Sequence, residues 1–156
     1  MLYDLYKDIR NEIAAHYGLT VDEISGTVTN PNPAEIPLRD IQWFNDQFKS
    51  SINIAPLLLI DFDKSEFTEM YKGEWMAPQR VRLYVVSDSI SLSDRQRHEA
   101  DLRRHDAICD TVIHLLHKTK FTSTEKPLIL ASMQQVLDYE GWLVTAIEFD
   151  TRIALK

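Results

Sequence analysis

Asp106, Asp110, His114 and His117 recur at intervals of four, four and three residues, so on a helix their side chains share one face. Carboxylate and imidazole are good ligands for a divalent metal, and helices carrying such groups build di-iron centres. A metal site also needs ligands from a second element, and none announces itself in the chain. The same spacing arises on an ordinary polar helix face, solvated or interfacial, and that is the reading taken. His105 and Cys109, four apart, are weaker ligand candidates, because a lone cysteine in an apolar stripe reads as a small buried residue. Asp61 and Asp63 at a strand end, with Glu74 and Arg80 or Arg82 beyond, make a nuclease-like set of carboxylates. The acidic-x-Lys strand signature of that chemistry is missing from Val81 to Val86, and Asp63-Lys64 falls at a turn. No Gly-x-Ser-x-Gly elbow occurs, so acyl transfer has no nucleophile. Without a Gly-rich phosphate loop or paired cysteines, no catalytic residue, metal or cofactor is expected. A small metal-binding or hydrolytic enzyme on the Asp/His face is one alternative, and a cytoplasmic adaptor protein of an unrelated assembly is another.

Composition narrows the rest. The 156 residues, 44% hydrophobic and 26% charged, suit one domain burying roughly two-thirds of its unfolded surface. A net charge of −7 argues against a surface that grips phosphates, which requires clustered Lys and Arg. Arg80, Arg82, Arg95, Arg97, Arg103 and Arg104 are the candidates for a local basic patch. Cys109 is the only cysteine, which suits the reducing cytoplasm. Met1 to Arg10 has no signal-peptide pattern and no apolar run approaches a membrane span of ~20 residues. A soluble intracellular domain without specific nucleic-acid or membrane binding is expected.

The elements that would position these residues follow from periodicity. Leu2, Leu5, Tyr6, Ile9, Ile13 and Tyr17 fall on one helical face, with Gly18 placed for a left-handed C-cap and Leu19 folding back. Thr20 and Glu23 suggest a capping box on a short helical turn. Residues 25–38 hold Gly26, Pro31, Pro33 and Pro37 and read as a long connection. Arg39 to Lys49 reads as a short helix with Ile41, Phe44 and Phe48 on one face and Trp43 off it. Trp43 then packs on the core edge or anchors a neighbouring subunit. Residues 56–62 are apolar on both faces, as a central strand would be, and 79–88 alternate as a half-exposed strand. Between them, 63–78 reads as a protruding hairpin turned at Lys72-Gly73. Its Phe67, Met70, Tyr71, Trp75 and Met76 exceed what a lone ribbon buries, so they lie on the parent domain or on a partner.

Ser93 and Gln96 cap a long helix, 93–118, with a charged first half and a stripe of Leu102, Ile108, Cys109, Val112, Ile113, Leu115 and Leu116. The chain ends in strands 127–137 and 142–154, turned at Asp138–Gly141. The last strand is about twice the usual length, so its far half, with Phe149 and Arg152, is expected to overrun the sheet and pair elsewhere. The fold class is α+β: a mostly antiparallel four-stranded sheet, helices on one face, and the hairpin between its first two strands. The single domain, 1–156, divides into helix 2–17, irregular connection 19–55 and sheet-and-helix core 56–156.

This order of elements, with the inserted hairpin at 63–78 and the closing strand run from Gly141 to Thr151, resembles the tail-terminator and tail-completion proteins of long-tailed phages. Head–tail connector components have a similar plan. The resemblance covers Leu2 to Leu155 and involves no invariant motif. It implies a non-enzymatic ring subunit, commonly of a hexamer, that meets other tail or connector proteins in the bacterial cytoplasm and then in the virion. The expected interface residues are Trp43, Phe67, Met70, Tyr71, Trp75, Met76, Arg80, Arg82, Phe149 and Arg152.

Overall fold

The apolar period of the first residues builds α1 (Leu2–Tyr17), which buries Leu5, Tyr6, Ile9, Ile13 and Ala14 together with Arg10. Gly18 ends it at φ 73 in the left-handed region, where a residue without Cβ is favoured, and Leu19 folds back with its N–H on the Ala14 carbonyl. The structure is a computed structural model that describes residues 1–45, 54–88, 99–136 and 142–155. Phe48, the Ser93–Gln96 cap and the Asp138–Gly141 turn fall outside the described residues.

A two-residue strand β1 (Thr20–Val21) pairs with β2 (Val28–Thr29). The short helical turn expected from Thr20 is a single turn begun two residues later, at Asp22, whose carbonyl accepts the Gly26 N–H at 2.7 Å while its Oδ1 caps the N–H groups of Ile24 and Ser25. Those two donors would otherwise lack a partner at the start of a turn, and Thr20 itself is taken into β1. The short helix expected at 39–49 is overturned: Asp40–Trp43 is a strand, β3, parallel to β4 (Leu57–Phe62). Only Ile41 of β3 is buried, so alternation, not helical period, describes this piece. Pairing with the edge of β4 overrides local propensity.

β5 (Thr68–Tyr71) and β6 (Glu74–Asp88) form the hairpin, and Gly73 at φ 82 makes its turn. α2 (Glu99–Leu116), β7 (Ile129–Val136) and β8 (Trp142–Leu155) complete the chain. The main sheet has six strands, not four, in the order β3-β4-β6-β8-β7 with β5 added to β6. All its pairs are antiparallel except β3–β4. β6 starts at Glu74, five residues before the expected strand, and pairs with β8 from Trp75 opposite Leu155 to Asp88 opposite Trp142. The far half of β8 therefore pairs with β6 of its own chain, correcting the expectation of a free overhang.

Both helices cover one face. Leu58, Ile60, Val81, Leu83, Val85, Ile147 and Phe149 join Leu5, Ile9 and Ile13 of α1 and Ile108, Val112 and Leu116 of α2 in a single cluster. Full burial of each such side chain is worth about 1.5–3 kcal/mol. Leu57, Leu59, Val86 and Val144 form a smaller apolar cluster on the other face, with Phe44, Tyr84, Val136 and Trp142 against it. Among the described residues no helix is long and apolar enough to cross a membrane.

Candidate functional site

The Asp/His face of α2 does not assemble. Asp106, Asp110 and His114 are exposed. His114 Nδ1 lies 2.7 Å from the Asp110 carbonyl of its own helix, while His117 Nδ1 accepts the Leu130 N–H at 3.1 Å. Among the described residues no group of three or more His, Cys, Asp or Glu side chains is placed to hold a metal ion.

His105, by contrast, is buried. Its Nδ1 lies 2.8 Å from Ser87 Oγ and its Nε2 2.8 Å from Thr145 Oγ1. Whichever nitrogen carries the proton, one hydroxyl accepts and the other donates. A serine activated by imidazole needs an acid on the ring's far nitrogen to hold the imidazolium, and here that place is taken by a neutral hydroxyl. The chain therefore ties α2 to β6 and β8. Cys109, one turn on, is buried, and that burial pushes its thiol up to about 12.

The strand-end acids find partners instead of a metal. Arg82 Nη2 donates to Glu148 Oε2 at 2.9 Å, and its Nη1 lies 3.1 Å from Asp63 and 3.3 Å from Asp61. Burial works against the Arg82 cation, but the Glu148 bond and the Asp63 charge hold its pKa above the ordinary value. Arg80 grips Asp150 with two bonds, at 2.9 and 3.1 Å. Ser132 of β7 donates to Glu148 Oε1 at 2.9 Å. Burial alone would raise the Glu148 carboxyl, and the Ser132 and Arg82 bonds with the two arginine charges reverse it to a lowered pKa. Glu74 lies apart, at the hairpin tip. Arg103 and Arg104 also pair within their helix, with Glu99 and Asp101, and Arg95 and Arg97 lie outside the described residues. The expected basic patch is thus neutralised at four of its six positions, and Arg80 and Arg82 are spent on internal pairs. Alternation of Arg80 and Arg82 with Val81 and Leu83, and of Glu148 and Asp150 with Ile147 and Phe149, was the sequence signal for this charged face.

Of the remaining candidates, Met70, Tyr71, Trp75 and Met76 lie together at one end of the sheet. β5, the first residues of β6 and the last of β8 form a three-stranded ribbon. Tyr71 is 71% exposed, Met70 51%, Leu155 49% and Trp75 41%, and Trp75 lies opposite Leu155. Met76 and Arg152 are half-buried, whereas Phe67 packs against the main cluster of the parent fold. Phe149 is fully buried under the helices, which removes it from any surface. Gln79 fixes the ribbon's base: buried, it donates to the Asp63 and Arg80 carbonyls and accepts the Ser65 hydroxyl. Trp43 packs between Tyr6 and Phe62 with its ring tilted to both and centroids 5.1 Å from each, yet stays 40% exposed. A polar cleft of about 380 Å³ lies between residues 33–37, Pro56, Asp88 and the Asp101–Arg104 pair of α2.

No protein-family model matches the chain, and no curated protein does. Among solved structures, one chain of the virion of a native gene transfer agent (GTA) particle is similar over 74% of this chain and 78% of its own. The identity is 10% and the TM-score 0.45. A likeness at that level leaves the functional reading to the residues themselves.

Proposed function

We propose that this protein is a structural, non-enzymatic subunit of a phage or prophage tail, similar to tail-terminator and tail-completion proteins. It forms a homo-oligomeric ring, commonly a hexamer, at the tail–head junction and contacts other tail or connector proteins there. The observation that carries the reading is the ribbon. At one end of the sheet β5, the start of β6 and the end of β8 hold Met70, Tyr71, Trp75 and Leu155 in solvent on a paired support. Apolar side chains gathered at one projecting end mark an interaction surface, and Tyr and Trp are the residue types enriched at interface hot spots. The self-neutralised Arg80–Arg82 face on a chain of net charge −7 fits a protein that does not grip nucleic acid.

Sedimentation across a wide concentration range, with electron microscopy of the largest species, tests this. Rings are expected, together with their loss to monomer in the Tyr71→Ser, Trp75→Ser double variant at an unchanged unfolding temperature. A monomer at every concentration, with substitutions that alter only stability, would remove the reading.

A further inference from the structure

β5 and β7 are edges on opposite sides of one sheet: β5 sits on the β4 side of β6, and β7 lies beyond β8. Among the described residues neither pairs with a strand on its outer side. Natural edge strands discourage further pairing with Lys, Pro, inward charge or bulges. β7 reads Ile-Leu-Ala-Ser-Met-Gln-Gln-Val over 8 residues, with neither charge nor proline. Its one bulge lies between Leu130 and Ser132, so Met133 to Val136 is regular. Ile129 and Met133 are 45% and 56% exposed. β5 is exposed at all four positions, and its one charge, Glu69, is turned back onto the Gly73 N–H at 2.9 Å. In a chain of net charge −7, copies repel one another at long range, and an uncharged edge is where that repulsion costs least.

We propose that the outer edge of β7 in one copy receives β5 of the next copy, so that the sheets continue head to tail. This rests on the assembly reading above and names its contact. Pairing two different edges from opposite sides of a sheet is a heterologous contact, the kind that closes rings, whereas β7 pairing with itself would stop at a dimer. Backbone hydrogen bonds along the added strand supply affinity, and the exposed side chains at the β5 irregularity, Met70 and Tyr71, set against Ile129 and Met133, supply register.

Variants with one added cysteine test the pairing, with the buried Cys109 as a silent background in all of them. A mixture of Met70→Cys and Met133→Cys proteins under mild oxidation is expected to give a disulfide-linked heterodimer, with neither variant alone exceeding the wild type. Met133→Lys, at an exposed position, is expected to raise the dissociation constant about tenfold or more with an unchanged melt. A homodisulfide of Met133→Cys alone means that β7 pairs with itself and overturns the proposal. Oligomers that survive Met133→Lys but not Tyr71→Ser overturn this contact and leave the assembly reading standing. A wild-type chain that stays monomeric overturns both.

Discussion

β6 and β8 are one continuous pair with two different ends. From Val81 to Val86, and opposite them from Val144 to Phe149, side chains alternate between the helix-covered cluster and a face where Arg82 meets Glu148 and where Tyr84, Val86 and Val144 build the smaller apolar cluster. From Trp75 to Pro78, opposite Arg152 to Leu155, the same ladder continues, with Ala77 and Ile153 still in the core while Trp75, Pro78 and Leu155 return to solvent. Backbone pairing thus does not decide what a strand does. The layer packed against it does, since apolar side chains stabilise only when removed from water. The covered end holds the fold, and the bare end is free to hold something else.

This contrast sets the size of four expected effects. Phe149→Ala, at a fully buried position between α2 and the sheet, should cost about 3–5 kcal/mol in denaturant unfolding. An effect below about 1 kcal/mol would mean that the covered end is not the stabilising one. Arg82→Leu removes the cation from Asp61, Asp63 and Glu148 and leaves partly buried carboxylates facing one another. A loss of about 1–3 kcal/mol is expected, shrinking when Glu148→Gln is combined with it, as a double-mutant cycle would record.

The third effect is a pH dependence. Glu148 has its folded pKa lowered below the ordinary 4.5, so its contribution is present above that value and fades as pH falls through the lowered pKa. Acid unfolding curves of Glu148→Gln should therefore be flatter across that window than those of the wild type. The smallest effect on stability belongs to the bare end. Trp75→Ser should shift unfolding by less than about 1 kcal/mol while changing the sedimentation profile. If it instead destabilised the chain as Phe149→Ala does, the two ends would not differ.

Several elements were legible without coordinates. The three- and four-residue steps of Leu5, Ile9 and Ile13, closed by Gly18, describe α1 to its last turn. The unbroken apolar run Leu57–Ile60 reads as the interior strand it is, buried at all four positions. The hairpin turn at Lys72-Gly73 and the exposure of Met70, Tyr71 and Trp75 also accord with a ribbon that cannot bury its own apolar residues. β3 was not legible, because Ile41 and Phe44 are three apart and satisfy a helix as readily as a short strand. Only the edge of β4, contributed from elsewhere in the chain, decides between them. His105 was hidden in a charged stretch. Its burial depends on Ser87 and Thr145 arriving from two strands to satisfy both ring nitrogens.

The sequence by itself determined which segments are apolar on one face or two, where the chain must turn, and that no catalytic motif is spelled out locally. Those are properties of neighbours a few residues apart, governed by helix and strand periods. Tertiary structure alone decided that Arg82 faces three carboxylates, that Phe149 is core, and that β8 is matched along its length by a longer β6. Each depends on register between strands up to 80 residues apart, as Trp75 opposite Leu155, and register is set by how whole faces pack, not by any local signal.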